Sequence, residues 1–148
     1  VGDNKMTFEG YERVYVLRLE DQKFYVGTTL REMHVRYQEH AEWYGSRWTH
    51  RHPVRRCICW MRVPVGTSSR IENELTRYLM WTRGWTSTRG GDWVFVHCRS
   101  PSWLPNEMRL LGATDVLPLH ERPVSKFPAE LRALVNRFEV LCGLENPN

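Results

Sequence analysis

Nothing in the sequence approaches the run of about 20 apolar residues that a membrane-crossing helix needs, and no signal peptide is visible. No membrane role is expected. An intracellular chain is, with cytoplasm and nucleus equally open. Cysteine is sparse. Cys57, Cys59, Cys98 and Cys142 are the only four, and no two are spaced as CxxC, so the usual zinc template is missing. Nor is this the small, loop-rich framework of a secreted disulfide protein, so free thiols are expected. The absence of internal repeats and low-complexity runs excludes repeat arrays and long disordered linkers. Lysine is scarce as well, and the basic residues are mostly arginine.

What is present fits a folded protein. The 148 residues suffice for one domain and a modest appendage, and seven Trp and six Tyr supply core and surface aromatics. The net charge is +4 and it is unevenly placed: Arg47, Arg51, Arg55, Arg56 and Arg62 lie close together, with His50, His52, Trp48 and Trp60 among them. Arginine's planar fork donates two hydrogen bonds to one phosphate. A basic patch interleaved with Trp43, Trp48 and Trp60 suits nucleic acid, although a merely solvated face has the same composition.

The pattern along the chain is β-β-α-β-α, then an extended piece and a helical tail. Residues 1–10 read as a flexible lead. Residues 12–19 and 23–27 are β-branched and aromatic and form a hairpin across the polar turn Glu20-Asp21-Gln22. Thr28 or Thr29 is the expected cap of a helix over 30–43, ended by Gly45. Residues 46–53 read as a basic loop, and 54–63 as a third strand stopped by Pro64 and Gly66. Ser68 or Ser69 caps a second helix to Arg83, with Gly84 as its stop. Thr88-Arg-Gly-Gly reads as a turn, and Trp93 to Cys98 as a short apolar strand. Pro101 and Pro105 mark a boundary between a domain at 11–100 and an extension at 101–148. The extension holds one helix over 128–142, placed to pack on the domain or to serve a protein partner or second copy. The fold class is therefore α/β (α+β): a small three-stranded sheet, antiparallel or mixed, flanked by helices.

Tyr15 and Tyr25 lie ten residues apart on consecutive strands, and hairpin partners sit about 5 Å apart, so both phenols can approach one site. Arg36 and His40, four apart, share a face of the following helix. Glu72 comes from the next helix. Two phenols, a guanidinium and a carboxylate suit phosphodiester cleavage. One carboxylate with waters and phosphate oxygens can hold Mg²⁺ (or Mn²⁺), which polarises the phosphate. Arg36 would stabilise the charge building on the phosphate, and a phenol of lowered pKa would take a proton from water.

These residues resemble the GIY-YIG endonuclease family. Val14-Tyr15 stands where the family has Ile-Tyr, Tyr25-Val26-Gly27 stands for Tyr-Ile-Gly, Arg36 follows nine residues after Gly27, and Ile71 to Met80 resembles the helix with the family's metal-binding Glu. The resemblance covers about residues 12–94. It implies a general base or water-positioning phenol at Tyr15, a site-lining phenol at Tyr25, close backbone approach at Gly27, transition-state stabilisation by Arg36, proton transfer assisted by His40 and a metal at Glu72. It also implies DNA as substrate, branched or otherwise structured DNA included, approached at Gly27; beside such a core the basic segment, with Arg47, Trp48, Arg51, Arg55 and Arg56, is the expected DNA-contacting surface. Arg13 replaces the family's first Gly. The Asn that often follows the Glu helix has no evident counterpart, with Asp92 or Thr88 near its place.

Plainer alternatives stand beside this. Tyr15 and Tyr25 also suit ordinary core aromatics. Glu74 competes with Glu72, since residues two apart point to nearly opposite helix faces; the apolar positions Ile71, Leu75, Tyr78 and Leu79 favour Glu72. Cys57 and Cys59, two apart on a strand, share a face and would meet His97 or Cys98 in a zinc-held module, or else are buried thiols. A nuclease fold that binds DNA without cutting would keep the same basic segment.

Overall fold

A computed structural model describes residues 10–42, 46–91, 93 and 127–143. It is a mixed α/β structure: a four-stranded mixed sheet with helices on both faces. The hairpin is strand β1 (Tyr11–Leu19) and strand β2 (Phe24–Thr29). A short 3-10 turn at Glu20–Gln22 joins them, with Asp21 and Gln22 at positive φ. Helix α1 (Met33–Ala41) and the short helix α2 (Arg47–Arg51) follow, then β3 (Val54–Pro64), α3 (Ser68–Arg83), β4 (Thr88–Gly90) and α4 (Ala129–Gly143).

The sheet order is β3-β1-β2-β4. β1 is central and antiparallel to both neighbours, with Tyr15 opposite Gly27 on one side and Trp60 on the other. β4 runs parallel to β2. The alternation along β1 sorts its side chains. Val14 and Val16 face one layer with Val26, Ile71, Leu75, Leu79, Leu131, Leu134 and Phe138, most of them from α3 and α4. Tyr15, Leu17 and Leu19 face the other, with Tyr25, Met33 and Trp48. Each fully buried Leu or Phe contributes about 1.5–3 kcal/mol, so the central strand is held from both sides. α4 is part of this core, and Arg83 from α3 clamps it with two 2.7 Å bonds to the Glu139 carboxylate.

Five expectations change, one of them the cap of α3: Ser68 and Ser69 fall inside the helix, and the residue before it, Thr67, makes no side-chain cap. The sheet has four strands, not three: Thr88–Gly90, read as a turn, pairs with β2. A three-residue strand ending in glycine carries no periodicity to read. Gly90 allows it to lie under α3, where a Cβ would fall on the Val26 carbonyl and the Thr76 hydroxyl. Thr28 and Thr29 do not cap α1. They extend β2, and the residue before the helix is Glu32, which makes no side-chain cap. The loop at 46–53 contains α2, capped by the Ser46 hydroxyl accepting from the Thr49 N–H at 3.1 Å. Finally, Cys57 and Cys59 do not share a face. Val16 pairs with Cys59 and Leu17 with Cys57, so Ile58 is bulged out of register and the two thiols go to opposite layers. Burial raises their pKa values to about 11 and about 12, as expected of inert thiols.

Trp43, Gly45, Asp92, the boundary prolines and residues 1–9 of the lead lie outside the described residues. So does the strand expected after Trp93, with His97 and Cys98 in it. No helix among the described residues is long and apolar enough to cross a membrane.

Candidate active site

The hairpin register sets the site. Tyr15 and Tyr25 lie on the same face of adjacent strands, their ring centres 6.3 Å apart. The facing helix brings His40 to both, at 5.7 Å from Tyr15 and 5.1 Å from Tyr25. One turn earlier on α1, Arg36 Nε donates to Tyr15 Oη at 3.1 Å, and its Nη1 donates to Glu39 Oε1 at 3.0 Å. Tyr15 Oη lies 2.7 Å from His40 Nε2. Tyr15, Tyr25, Arg36 and His40 are thus one cluster. Tyr15 is fully buried and His40 nearly so, whereas the Arg36 side chain retains 25 % exposure.

The phenols are not lowered in pKa, contrary to what a phenolic base in water would need. Burial, followed by Tyr25, pushes Tyr15 well above the ordinary phenol value, and Arg36 offsets only part of this. Burial and then the Glu72 charge raise Tyr25, which also shares a hydrogen bond with Ser46. His40 moves the other way: burial, helped by the Arg36 charge, holds it at about 3, so it is neutral wherever the protein is folded near neutral pH. Burial works against the Arg36 charge, but Tyr15 and Glu39 outweigh it and raise its pKa.

Glu72 stands on α3, whose apolar stripe of Ile71, Leu75 and Leu79 packs on the opposite sheet face. Its charge nevertheless bears on both phenols. Glu74 instead turns to Arg77 at 3.5 Å. Among the described residues no three acidic, histidine or cysteine side chains gather as a metal cage. A site with one carboxylate suits a hard cation that keeps most of its waters, as Mg²⁺ does, better than zinc.

Gly27 is explained by contact. It lies directly opposite Tyr15, and a Cβ there would fall on the phenol's Oη and Cζ. Gly27→Ala should displace the phenol from His40 and destabilise the fold by about 1–3 kcal/mol, read as a lowered urea midpoint. An unchanged midpoint would show that the phenol is free to move.

The basic residues divide. Arg47, Arg51, Arg55 and Arg56 are exposed. Trp48 is not a surface residue: it is 3 % exposed, its indole N–H donates to the Phe24 carbonyl at 2.9 Å, and the Arg89 guanidinium lies over its ring at 4.4 Å. An indole flanked by arginines looks like a stacking surface in sequence, yet its area is better used in the core. Arg13, two residues before Tyr15 on β1, is fully buried. It donates to the carbonyl of Arg31 at 3.1 Å and to Glu32 Oε2 at 3.2 Å, so it anchors the entry to α1 and hence Arg36. Ser46 and Thr49 also join the site, through Tyr25 and His40 respectively.

No family model, curated protein or solved structure matches this chain.

Proposed function

We propose that this chain is a metal-dependent endonuclease of the GIY-YIG kind, hydrolysing phosphodiester bonds of DNA, branched or otherwise structured DNA included. The observation that carries this reading is the buried relay Arg36–Tyr15–His40 beside a carboxylate, Glu72, whose charge reaches both phenols. A proton acceptor, a cation and a carboxylate whose charge bears on them are the parts that phosphoryl hydrolysis requires.

The phosphate of the substrate competes with Tyr15 for the Arg36 guanidinium, which is the most accessible member of the cluster. As Arg36 turns to the phosphate, Tyr15 becomes open to water, and the Arg36 charge, which adds to burial in depressing His40, is neutralised. Water then gives a proton to Tyr15 Oη while its oxygen attacks phosphorus, and the phenol's own proton moves to His40 Nε2. The bond from phosphorus to the leaving oxygen breaks with its electron pair on that oxygen, which takes a proton from solvent. His40 returns its proton to solvent afterwards. Mg²⁺ or Mn²⁺, held by Glu72, would supply charge stabilisation at the phosphate and leaving oxygen. The exposed Arg47, Arg51, Arg55 and Arg56 supply salt-dependent attraction for the DNA backbone.

The purified protein with Mg²⁺ or Mn²⁺ should nick or cut DNA, and Glu72→Ala should abolish this while DNA binding persists. A panel of duplex, branched and single-stranded substrates left intact with both metals removes the enzyme reading. Salt-dependent binding indifferent to Glu72→Ala would then identify a DNA-binding domain that does not cut.

A further inference from the structure

The hydrogen bonds around His40 end at both sides on groups that have no choice of direction. Arg36 carries only donors, so at Tyr15 Oη it can only donate. The buried Tyr15 proton has its other partner, His40 Nε2, as acceptor when that nitrogen is bare; a protonated Nε2 would make Tyr15 accept from both neighbours and leave the phenol's own proton without an acceptor. A neutral imidazole with a bare Nε2 carries its proton on Nδ1. His40 Nδ1 lies 3.1 Å from Thr49 Oγ1. The Thr49 hydroxyl in turn donates to the Ser46 carbonyl at 3.0 Å, and a carbonyl can only accept. With its proton on that carbonyl, Thr49 Oγ1 is left to accept, from the Ser46 hydroxyl at 3.3 Å and from the His40 Nδ1–H. With the Nδ1–H tautomer every proton in the chain has an acceptor: Arg36 to Tyr15, Tyr15 to His40, His40 to Thr49, Thr49 to the Ser46 carbonyl.

We propose that Thr49 is a positioning residue that fixes His40 as the Nδ1–H tautomer, keeping Nε2 bare to receive the Tyr15 proton. Thr49 is 2 % exposed and touches no substrate; it acts through His40. Its place is secured by α2, whose Ser46 cap accepts from the Thr49 N–H and whose Trp48 is sunk in the core. This short helix thus connects the basic surface, through Arg47 and Arg51, to the tautomer of a buried imidazole. His40 itself meets Tyr15, Tyr25 and Thr49 at contact distance, with the Arg36 charge nearby. Of these, Thr49 alone faces Nδ1. A His whose far nitrogen is held by a hydrogen-bond acceptor is the general way proteins choose a tautomer.

The proposal's kinetic arm rests on the nuclease reading; its spectroscopic arm does not. The full chain labelled with ¹⁵N-histidine should show His40 at pH 7.5 with a pyrrole-like Nδ1 and a pyridine-like Nε2 in a two-bond ¹H–¹⁵N correlation spectrum. Thr49→Val, which fills the same space without an acceptor, should move the proton to Nε2, and Thr49→Ser should restore Nδ1–H. If the protein cuts DNA, Thr49→Val should lower kcat about 10²-fold with KM little changed, and Thr49→Ser should recover most of it. A wild-type His40 protonated on Nε2, or a Thr49→Val protein that keeps the Nδ1–H tautomer, overturns the assignment. Absence of cleavage by the wild type removes the nuclease reading alone, since the spectrum still decides the role of Thr49.

Discussion

Tyr15→Phe should slow DNA cleavage by about 10²–10⁴-fold, the range that one positioned proton-transfer group contributes, while the protein remains folded. The substitution removes one oxygen from the centre of the relay and nothing else. The ring keeps its contacts with Tyr25 and His40, and Arg36 keeps its bond to Glu39. What disappears is the donor to His40 Nε2 and the acceptor for Arg36 Nε. A buried acceptor left unpartnered costs about 1–3 kcal/mol, so the urea midpoint should fall modestly. Phosphate contact through Arg36 survives, so KM should change much less than kcat. The measurement is single-turnover cleavage beside equilibrium unfolding. A Tyr15→Phe protein that cuts at the wild-type rate would reduce the relay to a packing feature and transfer the base role to Tyr25 or to metal-bound water.

The strands and long helices are legible in the sequence because their signals are local. β1 and β2 are β-branched and aromatic on either side of a polar turn, β3 is stopped by Pro64 and Gly66, and α3 ends at Gly84, which takes a φ of 96° that other residues avoid. What is not legible depends on partners distant in the chain. β4 exists because β2 offers it an edge. The Ile58 bulge that separates Cys57 from Cys59 appears only when β3 is set against β1. The same limit applies to the site. Arg36 and His40 share a helix face by spacing alone, and Tyr15 and Tyr25 share a sheet face by hairpin register, so their convergence follows from periodicity. Arg13, Ser46 and Thr49 carry no such signal, because buried polar residues announce themselves only through their bonds. For α2 a local sign does exist. Ser46 stands three residues before Thr49 as a helix cap, but a five-residue helix is too short for apolar periodicity to support it.

Acid should destabilise this protein through His40, well before its carboxylates titrate. Burial and the Arg36 charge hold the folded imidazole at about 3, against 6.5 for an ordinary histidine. As pH falls through 6.5 the unfolded chain takes up a proton that the native state refuses. Between these two values the unfolded state binds more protons, so stability is complete above pH 6.5 and declines toward pH 3. The slope is about 1.36 kcal/mol per pH unit. From pH 6.5 to 4.5 the loss is about 2–3 kcal/mol, a large share of the 5–15 kcal/mol that holds a typical domain together. Urea unfolding at fixed ionic strength across that window should show the decline. His40→Gln, whose amide oxygen can still accept from Tyr15, should flatten it, and His34→Gln, an exposed change on the same helix, should not. Equal slopes in the wild type and His40→Gln would mean that the fold does not hold His40 neutral. The same depression has a kinetic consequence. Because His40 is already neutral throughout the range in which the protein is folded, the proposed cleavage should show no free-enzyme histidine limb near pH 6.5, and its acid limit should follow unfolding instead.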